Sequence, residues 1–448
     1  MGEPSARPPG YIWAIAKHLR ADVPRTSHAD FTPAKGRDPK QILDAQEETR
    51  VQELLPLRHE RMAESAFGFF RGAAAVMAFD LSTTPATGLQ VQACGDAHLS
   101  NFGVFATPER RLVFDLNDFD ETLPAPFEWD VKRLAASFVL AAREAQLGER
   151  VAEDSARRAA TAYRERVRAY AGMRHLEVWY ATLDVEAALP QMKAAQRKRA
   201  ERGILRQARR KTNIGALDKL TEVADGKRRI VDNPPLIEHL DVPDLDARVR
   251  AGMDRYVETV SEEQRTLLQR YRFVDWARKV VGVGSVGTEC HMLLLLGDRE
   301  DDPLFLQIKE ADQSVLAPYA GASDYEHEGE RVVRGQRLTQ AASDIFLGWV
   351  DLQGRPACVR QLRDMKGSVN LEGIVAEDLL GYADTCGLAL ARAHARTGDP
   401  AAIGAYLGKA DTFDVAISAF AVAYADQSER DHAAFAAAVG SAPSAQSS

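Results

Sequence analysis

A chain of 448 residues, 45% hydrophobic and 27% charged, has material for a sizeable packed core, which excludes a disordered polypeptide or a small scaffold held by staples. Its net charge of -8 argues against a general nucleic-acid binder while leaving room for a local basic patch. Four dispersed cysteines (Cys94, Cys290, Cys358, Cys386) form no CxxC pair and are expected to be reduced thiols; with no apolar leader and no run of about 18 uncharged apolar residues, the expectation is a cytoplasmic protein off the membrane.

Residues 1–40, rich in Pro, Gly, Ser and charge, read as a flexible N-terminal arm, and 441–448 as a disordered tail. Residues 41–80 read as helix, with Met62, Phe67, Phe70, Ala74 and Met77 near helical spacing. A short strand, LQVQAC, leads into the loop GDAHLSNFG, and NFGVFA and RLVFDLND flank the turn TPER as a hairpin. EWDVKRLAASFVLAAREAQL is an amphipathic helix with Trp129, Leu134, Phe138 and Ala141 on its apolar face, and helices continue to about residue 174. Residues 185–235 are strongly basic, and 244–275 return to charged helix. From 278 the texture is β-rich: a glycine-containing run into TECHMLLLL, the turn GDREDDP, the strand LFLQIKEA, a helix over YEHEGERVVRGQRLTQAAS, and two strands around Gln353-Gly354. From 375 the chain is helical again, ending in a long helix near 413–438. The order of helices, about 90 residues of β structure and further helices indicates an α+β protein with a small mixed lobe against a larger helical one.

The loop from Cys94 to Gly103 places Asp96 and Asn101 five residues apart with His98 between them. Phosphoryl transfer needs a carboxylate that orients or accepts the proton of an attacking hydroxyl, together with hard oxygen ligands for Mg²⁺. A second set of acids follows in FDLNDFDET, where Asp115, Asp118, Asp120 and Glu121 crowd into seven residues. Such crowding is commonly offset by a cation. Any single Asp here also suits a turn or a helix cap.

GDAHLSN resembles the GDxHxxN loop of aminoglycoside phosphotransferases, choline kinases and homoserine-kinase-like enzymes, NDFDE resembles their metal-binding segment, and EWDVKRLA resembles the helix start that follows it. The resemblance implies Asp96 as catalytic base with His98 beside it, and Asn101, Asp118, Asp120 and Asp115 as the metal set. It implies Asp130 as a structural brace for the loop. Cys94 stands where most relatives have His.

VGVGSVGT carries Gly282, Gly284, Ser285 and Gly287 in GxGxxG spacing, a weak signal by itself. A dinucleotide fold would follow it with a helix, whereas TECHMLLLL reads as strand, which favours a phosphate loop of the kinase kind. That arrangement predicts a lysine on the next strand, Lys309, paired with a glutamate on the following helix; Glu326, Glu328 and Glu330 are candidates, with Glu330 preferred.

In ordinary kinases the glycine loop precedes the catalytic loop, and here it follows by about 180 residues. The expectation is therefore a two-lobed protein-kinase-like fold in circularly permuted order, with DTCGLALARAHAR resembling the helix that normally precedes the catalytic loop. Together FFRGAA, CGDAHLSNFG, NDFDET, KVVGVGSVGT, GERVVRGQR and RQLRDMKGS resemble an uncharacterised bacterial domain family grouped with the protein-kinase-like superfamily. Residues 41–275 would form the helical lobe with the catalytic loop, 278–370 the nucleotide-binding lobe, and 371–440 helices completing the helical lobe. The resemblance implies ATP and Mg²⁺ and an ATP-dependent phosphotransferase acting on a hydroxyl of a small-molecule acceptor. An AMP-transferring enzyme on the same scaffold and a non-catalytic nucleotide-binding module are the alternatives.

Three further features carry less. The run from Lys193 to Lys211, with nine Lys or Arg and one Glu, reads as a solvated helix face before it reads as an anion site. Arg71, Arg360 and Arg363 suit structural ion pairs or phosphate contacts. His394 and His432 lack partners at metal spacing and read as core or surface histidines.

Overall fold

The computed structural model describes residues 11–441, apart from 242–243, 281, 283, 285, 353 and 363–364. Residues 1–10 of the expected arm and 442–448 of the expected tail thus lie outside the described residues, as does Gln353 of the expected turn. From Tyr11 onward the arm is not loose. Tyr11–Asp22 is a helix packed on helix Pro400–Leu407. Arg20 Nε donates to the Tyr406 carbonyl at 2.8 Å and Arg25 Nη1 to that of Leu407 at 2.6 Å, satisfying carbonyls that a helix end leaves open.

The single helix expected over 41–80 is four short ones: Pro39–Glu47, Leu55–Ala63, Ala66–Gly72 and Ala74–Ser82. Pro56 favours a fresh helix start, and the Ser65 hydroxyl restarts the next by accepting from the Gly68 N–H at 3.0 Å. The chain then enters β1 (Gln90–Ala93), the hairpin of β2 (Phe102–Ala106) and β3 (Leu112–Leu116), and β4 (Leu123–Pro126), which pairs antiparallel with β1. Two prolines in β4 argue against a strand, but it is paired on a single side, where the missing N–H groups cost little.

Helix Phe127–Glu144 runs through the middle of the helical region. Trp129, Leu134, Phe138 and Ala141 are buried as the periodicity requires, and so are Lys132 and Arg133 on the other side. Lys132 is accommodated by the Thr84 hydroxyl at 2.8 Å and the Phe420 ring at 4.7 Å. Helices Glu149–Tyr170, Ala376–Thr397 and Thr412–Ser441 pack around this core.

A hairpin of β5 (Thr221–Ala224) and β6 (Lys227–Ile230) precedes a six-stranded antiparallel sheet. Its strands are β7 (Ile237–Glu238), β8 (Arg272–Lys279), β9 (Cys290–Leu296), β10 (Pro303–Glu310), β11 (Gly348–Leu352) and β12 (Arg355–Gln361), in the order β11-β12-β10-β9-β8-β7. The sheet starts well before the expected change of texture at 278: β7 lies between the stretch read as basic to 235 and the charged helix expected from 244, and β8 begins at Arg272, in residues read as charged helix. Charges fit there because much of β8 is only half-buried, while Trp276 and Ala277 are buried. Helix Glu328–Thr339 lies across β11 and β12. The molecule is therefore α+β, with a sheet region beside a helical one. No described helix is long and apolar enough to cross a membrane.

Candidate active site

The loop between β1 and β2 is held by one face of helix Phe127–Glu144. Asp130 takes the N–H groups of Cys94 and Gly95 at 2.7 and 3.0 Å. One turn on, Arg133 Nε donates to Asp96 Oδ1 at 2.5 Å, and a turn later the Ser137 hydroxyl accepts from the Leu99 N–H at 3.0 Å. Behind Asp130, His394 Nε2 lies 3.1 Å from Oδ2. Gly95 has φ +81°, and a Cβ there would stand 2.3 Å from the Glu121 carbonyl oxygen, so this position needs glycine. The helix thus fixes the loop through three backbone N–H groups and the Asp96 carboxylate.

Asp96, His98 and Asn101 line one cavity of about 120 Å³ with Asp118, Asp120 and Glu121 from the segment after β3, Gly282 and Gly284 from the glycine turn, Lys309 from β10, and Arg71 and Arg360. Asn101 Nδ2 donates to the Asp96 carbonyl at 2.8 Å. Burial pushes the Asp96 carboxyl up, but the adjacent Arg133 guanidinium outweighs it and holds the group below its ordinary range. Burial drives the His98 imidazole down to about 3, so it is neutral at physiological pH, with Nε2 3.6 Å from Asp96 Oδ2. Lys309 pairs with Asp120. Burial opposes both charges, yet each lifts the other's ionised form, so Asp120 lies low and Lys309 high. Asp118 is raised by burial and by the Asp120 charge.

Two residues of the expected set stand elsewhere. Asp115 is fully buried in an ion pair with Arg392, 2.7 Å from its Nη2, and takes the Ala341 N–H at 2.9 Å. It joins β3 to the helices and is not a cavity residue. Glu330 pairs with Arg334 one turn along its own helix at 3.1 Å and is not among the cavity's lining; the carboxylate on Lys309 is Asp120. Ser285 and Arg363 lie outside the described residues. Gly287, at φ +92°, makes the turn itself and packs on Arg50.

Arg133, Arg50 and Arg58 do not figure in the sequence analysis, while His394, read there as a core or surface histidine, is buried and braces Asp130. Arg133 had a signal, since it follows the bracing Asp130 by three residues on a helix that must face the loop. Arg50 and Arg58 had none. Arg50 Nη1 donates to the Val286 carbonyl at 2.7 Å, and Arg58 Nη1 to that of Gly284 at 3.1 Å, across more than 220 residues of chain. The basic run has been absorbed: Arg199 lies 2.5 Å from Asp378 and Lys193 3.1 Å from Glu377, an exposed ion-paired face.

The donor set fits a hard divalent cation. Asp118 Oδ1 is buried with no hydrogen-bond partner, in the cavity that Asn101 also lines. Among the described residues no three His, Cys, Asp or Glu side chains gather as a metal site, so the chain would furnish part of a coordination shell and ligand oxygens or water the rest.

Residues 50–438 match the model of a family described as uncharacterized proteins conserved in bacteria (DUF2252). No curated protein and no solved structure matches the chain.

Proposed function

The chain belongs to this conserved bacterial family, DUF2252, and from its site we propose that it is an ATP- and Mg²⁺-dependent phosphotransferase of permuted kinase-like fold, acting on a hydroxyl of a small-molecule acceptor. The observation that carries the reading is convergence. Asp96, Asn101 and Asp118 from the helical region line the same cavity as Gly282 and Gly284 from the glycine turn and Lys309 from the sheet, roughly 200 residues away. Phosphoryl transfer needs those two groups of residues at one point, and the carboxylates and cations of this lining suit phosphates better than a purely apolar ligand.

The permuted order draws support from the junction at β1. The Gln92 N–H donates to the Thr397 hydroxyl at 3.1 Å, so the end of helix Ala376–Thr397 lies against the strand that feeds the catalytic loop. In the ordinary chain order that helix would run directly into that strand.

In this reading the acceptor hydroxyl hydrogen-bonds to Asp96, which Arg133 keeps ionised and fixed. As the acceptor oxygen bonds to the terminal phosphorus, its proton passes to Asp96, and the bond to the bridging oxygen breaks with its electron pair staying on the nucleoside diphosphate. Neutral His98 packs behind Asp96 and adds no positive charge. Lys309 exchanges Asp120 for phosphate oxygens. Asn101 and Asp118 would hold Mg²⁺, which neutralises phosphate charge.

The test is Mg²⁺-dependent conversion of ATP across a panel of hydroxylated metabolites, with products weighed by mass spectrometry. Transfer of phosphate, reduced by about 100-fold or more in Asp96→Asn, is expected. An adenylylated product, or turnover indifferent to Asp96→Asn, would sink the reading.

A further inference from the structure

Buried arginines elsewhere in this protein are tied to partners: Arg133 to Asp96, Arg392 to Asp115, and Arg331 to the carbonyls of Asp120 and Thr122. Arg71 is not. It sits at the end of helix Ala66–Gly72 and lines the cavity. Its Nε is buried with no hydrogen-bond partner, and the guanidinium forms no ion pair among the described residues. The Phe67 ring faces it from 5.9 Å, and a Cβ on Gly282 would lie 3.9 Å from its Nη2. The charges that act on it most are those of Asp96 and Asp118. Arg71 is half-buried, and partly withdrawing a guanidinium from water with no carboxylate at ion-pair distance costs free energy, a cost that an anionic ligand would offset.

We propose that Arg71 binds the terminal phosphate of the nucleoside triphosphate, an arginine finger supplied from the chain's own N-terminal helices. The inference rests on the phosphotransferase reading above. The position selects the terminal phosphate: Arg71 stands between the glycine turn and the two carboxylates at the transfer end, while Lys309 occupies the sheet side. A guanidinium presents paired donors that match two oxygens of a phosphoryl group, and here they would neutralise charge on the group in transit without exchanging a proton.

The experiment is binding of a non-hydrolysable ATP analogue and of ADP, each with Mg²⁺, to wild type, Arg71→Gln and Arg71→Lys. Arg71→Gln should weaken the triphosphate by about 10- to 100-fold and ADP by less than about threefold, with Arg71→Lys between. Its melting temperature should change little, because no hydrogen bond or ion pair is lost and only the 5.9 Å contact with the Phe67 ring goes. Equal weakening of both nucleotides, no weakening, or a loss of stability would overturn the inference and leave the phosphotransferase reading standing. Wild type that binds neither nucleotide would overturn both.

Discussion

Asp120 and Glu121 are neighbours in sequence, and their surroundings drive them in opposite directions. Burial raises both, but Asp120 has the Lys309 ammonium against it and ends low. Glu121 has the Val315 N–H at 2.7 Å and the Arg331 charge, which together do not offset burial, and burial carries it to about 7. The sign of the consequence follows from linkage. Between the ordinary 4.5 and about 7 the unfolded chain has released this proton while the folded protein keeps it, so stability falls as pH rises through that window and levels off above it. A glutamine in place of Glu121 mimics the protonated acid and keeps an acceptor for Val315. Thermal melts of Glu121→Gln and wild type should therefore coincide near pH 4 and separate toward pH 8, with the variant the more stable. A gap that is constant with pH would refute the assignment.

At the scale of elements, the loop from Cys94 to Gly103 is an attachment of helix Phe127–Glu144, which grips it at positions 130, 133 and 137. Asp130→Ala would strip two loop N–H groups and His394 of their acceptor, inside a closed core. A loss of about 3 kcal/mol in denaturant unfolding is expected, and on the proposed function the variant should also lack phosphotransfer even where the chain still folds. Unfolding within about 0.5 kcal/mol of wild type would show that the loop is held by something else. This level also marks what the sequence disclosed. The loop, its following hairpin and the lysine strand were legible because their signals are local: residue spacing, alternation, turn composition. Asp115 and Glu330 were not, because a carboxylate's partner decides its role, and Arg392 lies 277 residues from Asp115. The breaks among the N-terminal helices were partly legible in Pro56 and Ser65. β4 and the start of β8 were hidden because one carries prolines and the other charges, and each is tolerated by pairing that sequence does not announce.

Across the whole molecule the N-terminal helices do something that a two-lobed reading of the sequence omits: they bridge the regions. Gln46, Arg71 and Gly72 line the cavity beside Asp96, Asn101 and Asp118, while Arg50 and Arg58 hold the carbonyls of the glycine turn and the Val51 N–H donates to the Gly287 carbonyl at 2.7 Å. The cavity left between them, about 120 Å³, is well below the roughly 300 to 1,000 Å³ of typical small-molecule pockets. On the proposed function, a nucleoside triphosphate would need this bridge and the turn to move apart, and opening should then limit association. Stopped-flow binding of a fluorescent ATP analogue should then be slow, below about 10⁶ M⁻¹s⁻¹, and should saturate with concentration as opening becomes limiting. Arg50→Ala removes one of the clasps on the turn and should raise the saturating rate severalfold while the melting temperature stays above that of the assay. Association that climbs linearly with concentration in wild type, or that is unaltered by Arg50→Ala, would mean that the site already stands open to ligand and that the clasp serves stability alone.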